Sequence, residues 1–402
     1  MAGLWNLLVS PRIAFASAPL STSPSWSELQ DVYAISIQRG RQSSLGQVEA
    51  GRCTVTLRNA DRRYDPTNTS SPEYGDGTRL RPGRQLQVAA LIGGVGGVPA
   101  PLFTGHVTGY TWSQVGSAPP GSIDISAVDA MGYLGTRTIT GTFTSSDSMQ
   151  RIQDILDYLG WPSDVVWRWL PGTGVTIPAP QTYAAANALS TIRTLADIAE
   201  TSLYVTVGGG LWADALINRQ SLALSYTFSG NYGQADLLYN RDEIYNSAQI
   251  TPASGTVQSA TGATVSDFFF VEYTKSLPYL YDSDALARAQ YIVNRYQYPR
   301  RRISQLRTTR ALLNDDQSLI NYPTAPALPV LDIGRRVRVT VDPPGGAPSW
   351  VADHFVEGVS HTIRAEGNRW EVAYNLSPAT YFTAWKLADS ADGILGATTN
   401  LG

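Results

Sequence analysis

Charge is scarce in this chain: Asp, Glu, Lys and Arg make up 16% of its 402 residues, against a usual share of about 25%. A surface this poor in charge suits coverage by partners better than exposure to water, with Ser, Thr, Asn and Gln supplying the remaining polarity. Lysine is nearly missing, since only Lys275 and Lys386 stand beside the arginines. The deficit runs the whole length, so codon usage in a GC-rich genome explains it better than arginine's preference for interfaces. Net charge is -3. A protein that tracks phosphates needs a basic stripe, so this balance argues against nucleic-acid binding as the main role. Cys53 is the single cysteine, which excludes an internal disulfide framework and a thiolate metal cluster. In the alternating run Cys53-Thr-Val-Thr-Leu57 it reads as a small buried strand residue. Long hydrophobic runs are missing too: nothing approaches the roughly 18 apolar residues of a membrane span, so no stable membrane insertion is expected. Met1 to Leu20 is apolar but lacks a basic start, and Asn6 and Pro11-Arg12 interrupt it. It is read as mature sequence, a strand or arm packing on a neighbour.

The chemistry-bearing motifs are also absent. There is no His-Glu-x-x-His, no Gly-x-Ser-x-Gly and no phosphate-binding loop ending in Lys-Ser/Thr. No motif fixes a carboxylate pair for sugar hydrolysis. The three histidines are His106, His354 and His361. A separation of seven puts the last two on opposite faces of a continuous strand, so they are read as locally bonded strand residues and not as a metal pair. Asn59 to Asn68 offers oxygen ligands without the spacing of a calcium loop, and Asx beside Pro is an ordinary turn former. Arg300-Arg-Arg302 reads as a solvated or interface cluster. Trp161, Trp167 and Trp169 with Tyr158 read as packing of a helix end, ahead of a sugar-stacking platform. No catalytic residue, cofactor or metal site is therefore expected.

What the chain does have is a pattern that occurs twice. The first copy reads Gly83-Arg-Gln-Leu-Gln-Val88, Phe103-Thr-Gly105-His-Val107 and Ser122-Ile-Asp-Ile-Ser126. The second reads Gly334-Arg-Arg-Val-Arg-Val339, Phe355-Val-Glu-Gly358-Val359 and Trp370-Glu-Val-Ala-Tyr374. From glycine to phenylalanine the two spacings are 20 and 21 residues. One β-module used twice lets an odd-numbered ring present twice as many near-equivalent faces. Beyond the phenylalanine the spacings diverge, 18 residues from Gly105 to Ile123 and 12 from Gly358 to Trp370, so the modules are expected to differ most in that hairpin.

Period-2 alternation predicts strands at 32–38, 52–58, 85–91, 103–112 and 122–128, with a turn-rich loop from 59 to 83. The period then changes. Ser145 or Ser146 is expected to cap a helix carrying Met149, Ile152, Ile155, Leu156 and Leu159; a second helix is expected over 191–201 and a glycine hairpin over 203–216. A third helix, capped by Asp282 or Ser283, carries Leu286, Ala289, Ile292, Val293 and Tyr296. The expected class is mainly β with an α+β insert: barrel-like tube domains at 1–140 and 239–379 flank a small α+β domain at 141–238, with a C-terminal tail at 380–402.

Several of these runs resemble the tail proteins of long-tailed bacteriophages. The likeness is carried by Gly46-Gln-Val-Glu-Ala-Gly51, Val55-Thr-Leu-Arg-Asn59, Tyr64-Asp-Pro66, Asn68, Ser71-Pro72 and Leu80-Arg-Pro-Gly-Arg84. It extends through Phe103-x-Gly105, Ala127-Val-Asp129, Leu134, Ile333-Gly334 and Glu357-Gly358. Within that group the sequence is most similar to the baseplate or tail-tip hub, the minor tail proteins. The resemblance implies a homotrimer whose paired barrels make a pseudo-sixfold ring under the tail tube, located in the virion at the tail tip after synthesis in the host cytoplasm. It implies as partners a distal tail or tail tube protein, the tape measure protein and tail fibre or tip proteins. Genomic DNA would pass through without sequence-specific binding. Some relatives carry a peptidoglycan-cleaving domain; the chain stops soon after the second module, so none is expected. Ring or interface candidates are Trp5, Arg84, Phe103, Arg335, Arg338 and Phe355. A hexameric distal tail protein, or a receptor-binding or glycan-degrading tail protein, is the alternative.

Overall fold

Alternating apolar residues build most of this chain into strands, and one large sheet organises it. The structure, a computed structural model, describes residues 9–381 except 76, 93–97, 113–120, 146, 171–173, 178–179, 216–218, 220–221, 310–330, 344, 346–347 and 367–368. The first module contains β1 (Val9–Ile13), β2 (Ser27–Glu28), β3 (Val32–Gly40), β4 (Glu49–Arg58), β5 (Gln85–Ile92), β6 (Val98–Trp112) and β7 (Ser122–Val128), then α1 (Ala130–Leu134). On β4 the residues Cys53, Val55 and Leu57 point into the core while Arg52 and Arg58 face out, as a half-buried strand requires. Between β4 and β5 the chain runs as linked turns. The amides of Arg62, Asp65, Asn68, Ser71, Tyr74 and Gly77 each bond the carbonyl three residues earlier.

A lobe follows, made of β8 (Thr138–Phe143), α2 (Ser148–Tyr158), β9 (Arg168–Trp169), β10 (Gln181–Asn187), α3 (Ala188–Ile198), β11 (Thr201–Val205) and β12 (Leu211–Ala215). Asp147, and not the neighbouring serines, caps α2 by accepting from the Met149 and Gln150 amides. Helix α3 starts three residues earlier than its apolar period suggests because Asn187 caps it through the Ser190 amide. Trp161 is buried at the end of α2 and meets Trp167 edge-on at 5.5 Å, the packing role read for it.

The chain then returns to the sheet with β13 (Leu224–Ser229) and β14 (Gln234–Leu238). A second small lobe interrupts it: β15 (Ser247–Thr251), β16 (Gln258–Thr261), α4 (Val265–Phe268), β17 (Glu272–Ser276) and α5 (Asp282–Tyr296). Helix α5 lacks a side-chain cap; its N-cap is Tyr281, with Asp282 and Asp284 in the first turn. The last strands are β18 (Arg302–Thr309), β19 (Arg336–Val341), β20 (Trp350–Arg364) and β21 (Arg369–Pro378).

The strand order in the main sheet is β14-β18-β21-β20-β3-β4-β7-β6-β5-β1-β2, with β19 on β20 and β13 on β19. The fold is therefore mainly β, as expected from the sequence. No strand pair among the described residues closes the order into a barrel.

Two halves of this sheet are built alike. Hairpin β5–β6 leads into β7, lying on β4; hairpin β19–β20 leads into β21, lying on β18. Gly83 and Gly334 share a left-handed conformation, φ 87° and 85°, which only glycine adopts without strain. Their amides bond Val107 and Val356, whose own amides bond Arg84 and Arg335. One bulge interrupts β6 between Val107 and Gly109 and another interrupts β20 between Val356 and Gly358.

The bulges correct the matching read from the sequence. Gly358 corresponds to Gly109, not to Gly105, and Phe355 to His106, not to Phe103. From Gly109 to Val128 and from Gly358 to Ser377 are both 19 residues. The length difference lies in the earlier hairpin, 24 residues from Gly83 to Val107 against 22 from Gly334 to Val356. The similar phenylalanine spacing is thus a coincidence of composition, while Gly83 and Gly334 mark a real equivalence.

Candidate assembly site

The two halves meet where β3 lies antiparallel on the second part of β20, from Gly40 opposite Gly358 to Ala34 opposite Arg364. This joint makes one continuous sheet of the two modules. Its closest approach is at the glycines. A Cβ on Gly40 would lie 2.3 Å from the Glu357 carbonyl oxygen, and one on Gly358 would lie 2.7 Å from that of Arg41. Both positions leave room for a backbone and for nothing more.

Beside the glycines sits a buried ionic cluster. Glu357, the bulged residue of β20, takes Arg219 at 2.7 Å on one carboxylate oxygen and Arg41 at 2.7 Å on the other. The Glu357 and Arg219 side chains are both 0% exposed. Burial alone raises the Glu357 carboxyl, but the two guanidiniums outweigh it and hold the group below the usual carboxylate range. Arg219 also donates to the Ser202 hydroxyl on β11 and lies 5.5 Å from the Phe355 ring centre. Arg39 pairs with Asp332 at 2.9 Å and donates to the Val205 carbonyl at 2.8 Å. Charges from both modules therefore meet β11 of the first lobe, Arg219 at the Ser202 hydroxyl and Arg39 at the Val205 carbonyl. A buried ion pair is costly to desolvate, so its use is to fix geometry more than to add stability. The cluster fixes how the modules sit against each other and against the lobe.

Of the six interface candidates, five are described, and one of these touches the cluster. Trp5 lies outside the described residues. Phe103 and Phe355 are buried in the core, and only Phe355 touches the cluster, through Arg219. Arg84 donates to the Ser17 and Thr78 carbonyls, tying its turn to the N-terminal segment. Arg335 is half-buried beside Gly334. Arg338 is exposed and, with Arg336, grips Asp353 across the β19–β20 hairpin at 2.7 and 2.6 Å. Arg39, Arg41, Arg219, Asp332 and Glu357 escaped sequence reading because more than 300 residues separate the first from the last. The available signal was local: arginines flanking Gly40 at a strand end, and a glutamate inside the apolar run Phe355 to Val359.

The remaining candidate groups are structural. Asn59 and Asp65 spend their oxygens on the Tyr64 and Thr67 amides and on Arg62. Among the described residues no group of three His, Cys, Asp or Glu could hold a metal ion. Arg302 turns inward to Asn240 and Glu243, leaving Arg301 exposed. Cys53 is buried, which pushes its thiol up. The bulge resets the alternation between His354 and His361. Each is bonded locally, His354 Nε2 accepting from the Ile303 amide and His361 Nδ1 from the Trp370 indole.

Those histidines set a pH dependence. Burial pushes both down to about 4 from an ordinary 6.5. Between those values the unfolded chain binds their protons and the folded chain does not, so stability falls as pH drops from 6.5 through 4. Each contributes on the order of 3 kcal/mol across the full window. Asp129, pushed up to about 6 by burial, works in the opposite direction, and one such group offsets only part of two. Urea unfolding is expected to show a lower midpoint at pH 4.5 than at pH 7, and the difference is expected to shrink in His354→Asn/His361→Asn. An equal difference in that variant would show that other groups control the acid response.

No protein-family model matches the chain, and no curated protein matches it by sequence. Solved structures do match. The 43 kDa tail protein of prophage MuSo2 from Shewanella oneidensis aligns with a TM-score of 0.57 at 13% identity, over 93% of this chain and 99% of that one. The tail protein from Neisseria meningitidis MC58 aligns with a TM-score of 0.59 at 10% identity, over 92% and 96%. A chain of the Francisella PdpA–VgrG complex aligns with a TM-score of 0.50 at 9% identity, over 95% of this chain and 60% of that one. Nearly the whole of both tail proteins is matched, so this chain has the fold of these tail proteins.

Proposed function

We propose that the chain is a non-enzymatic structural hub of a phage tail tip or baseplate. Three copies form a ring in which six near-equivalent modules alternate. The ring joins the sixfold tail tube to the tip components and closes, then opens, the passage for DNA. One observation carries this reading: the chain holds the same hairpin module twice, side by side in one sheet, with Gly83 and Gly334, Val107 and Val356, Gly109 and Gly358 in matching roles. A sixfold partner above a threefold ring needs such doubling. The modules divide the chain at 1–140 and 224–379, the second beginning with β13 and β14 because these pair with β19 and β18.

The partners are a distal tail or tail tube protein on one side, tail fibre or tip proteins on the other, and the end of the tape measure protein inside. A net charge of -3 suits a conduit, since a basic lumen would hold DNA back. The likeness to tail proteins supports a place in the virion, and the buried, structural use of the polar clusters supports a role without catalysis. Antibody raised against the chain is expected to decorate virions at the tail end distal to the capsid. Decoration along the tube would contradict the hub position, and release of sugar from host-wall glycan by the purified chain would contradict the non-enzymatic role.

A further inference from the structure

We infer that the outer edge of β6, from Gly109 to Trp112, receives strand β14 of a second copy of this chain, in the antiparallel register that β20 uses for β3 within one chain. The inference rests on the ring reading and names its contact.

The internal duplication supplies the template. After its bulge, β20 has β21 on one side and β3 on the other. After the matching bulge, Gly109 to Trp112 of β6 has β7 on one side, and among the described residues no strand on the other. The counterpart of β3 in the second module is β14: Ile35 lies opposite Val55 on β4 as Ala235 lies opposite Leu306 on β18. Among the described residues strand β14 pairs with β18 alone and ends the sheet. One chain thus has one joint made and the two halves of a second joint left open, at opposite places in its sheet.

Gly109 is an independent mark of the missing strand. Its φ is not positive, and a Cβ built on it meets nothing within 4 Å. Among the described residues nothing demands glycine there. At the equivalent Gly358 the space is filled by the β3 backbone, with the Arg41 and Arg39 carbonyls at 2.7 and 3.0 Å from a Cβ. A second strand arriving at Gly109 in the same way would make the same demand. The edges are also unguarded. Gly109-Tyr-Thr-Trp112 carries no charge and no proline, and β14 carries only Asp236, although exposed edges are ordinarily blunted by such residues. Leu237 and Tyr239 are 50% and 68% exposed at the β14 end.

The register carries over residue by residue. Gly40, Arg39, Gln38 and Ile37 face Gly358, Val359, Ser360 and His361, so Asn240, Tyr239, Leu238 and Leu237 of one copy face Gly109, Tyr110, Thr111 and Trp112 of the next. The joints differ in one respect. Thr108, whose hydroxyl donates to the Ser126 carbonyl at 3.1 Å, stands where Glu357 holds two arginines. The joint between copies lacks the ionic lock, so it is the one that separates when the ring opens.

The test is Thr111→Cys/Leu238→Cys, oxidised and run on a denaturing gel, beside Ser36→Cys/Thr362→Cys, whose two positions already face each other within one chain. Cys53 is buried and does not interfere. The first variant is expected to give covalent species stopping at three chains, and the second no increase in chain number. Gly109→Val is expected to weaken association by at least about tenfold while leaving thermal unfolding of the separated chain unchanged. A trimer by sedimentation that forms no disulfide between copies, or that tolerates Gly109→Val, overturns this edge and leaves the ring standing. Covalent species running past three chains support the edge and overturn the ring. A chain that stays monomeric at high concentration overturns both.

Discussion

Glu357→Ala is expected to lower the stability of the folded chain by about 3–5 kcal/mol, the cost of removing one partner from a buried ion pair. The carboxylate bonds Arg219 and Arg41, and neither Glu357 nor Arg219 reaches solvent. Alanine would leave the Arg219 guanidinium charged and desolvated beside the Phe355 ring. A domain has about 5–15 kcal/mol in total, so the loss is a large share of it. Glu357→Gln keeps an acceptor and removes the charge, and is expected to fall between alanine and the native chain. Urea unfolding followed by circular dichroism measures both. A loss under about 1 kcal/mol for alanine, the range of an exposed pair, would show that the cluster is solvated and does not lock the modules.

Gly40→Ala is expected to cost about 3 kcal/mol or more, from two sources that can be separated. The residue has φ 89°, a conformation costing an L side chain on the order of 1–3 kcal/mol. Its Cβ would also sit 2.3 Å from the Glu357 carbonyl oxygen and 2.6 Å from Gly358 Cα, backbone atoms that cannot rotate away. Gly255→Ala isolates the first source, since Gly255 has φ 78° with nothing within 4 Å. The difference between the two unfolding free energies is the cost of pushing β3 off β20. Equal losses would mean that the joint yields freely and does not hold the modules in register.

Much of this architecture was legible in the sequence because alternation and turn glycines are local signals. Cys53-Thr-Val-Thr-Leu57 shows its buried face directly, and Gly83 and Gly334 mark equivalent left-handed turns that no other residue fills cheaply. Bulges were not legible. An extra residue at Thr108 or Glu357 leaves no mark on a period-2 pattern except a break, so phenylalanines at similar spacings mask the equivalence of the glycines past the bulges. The second lobe stayed hidden for another reason: β16 is Gln258-Ser-Ala-Thr261, short, polar and partly exposed, and it becomes a strand only through pairing with β15. The ionic cluster was least legible, since a bond between Arg39 and Asp332 depends on the pairing of two modules and on no spacing along the chain.

The central claim, one module used twice to turn three chains into a six-part ring, is tested most directly by the mass of the assembled particle. Native mass spectrometry of the purified chain is predicted to give a species at three times the chain mass. A species at six times that mass, or a chain that remains single at every concentration measured, would contradict it.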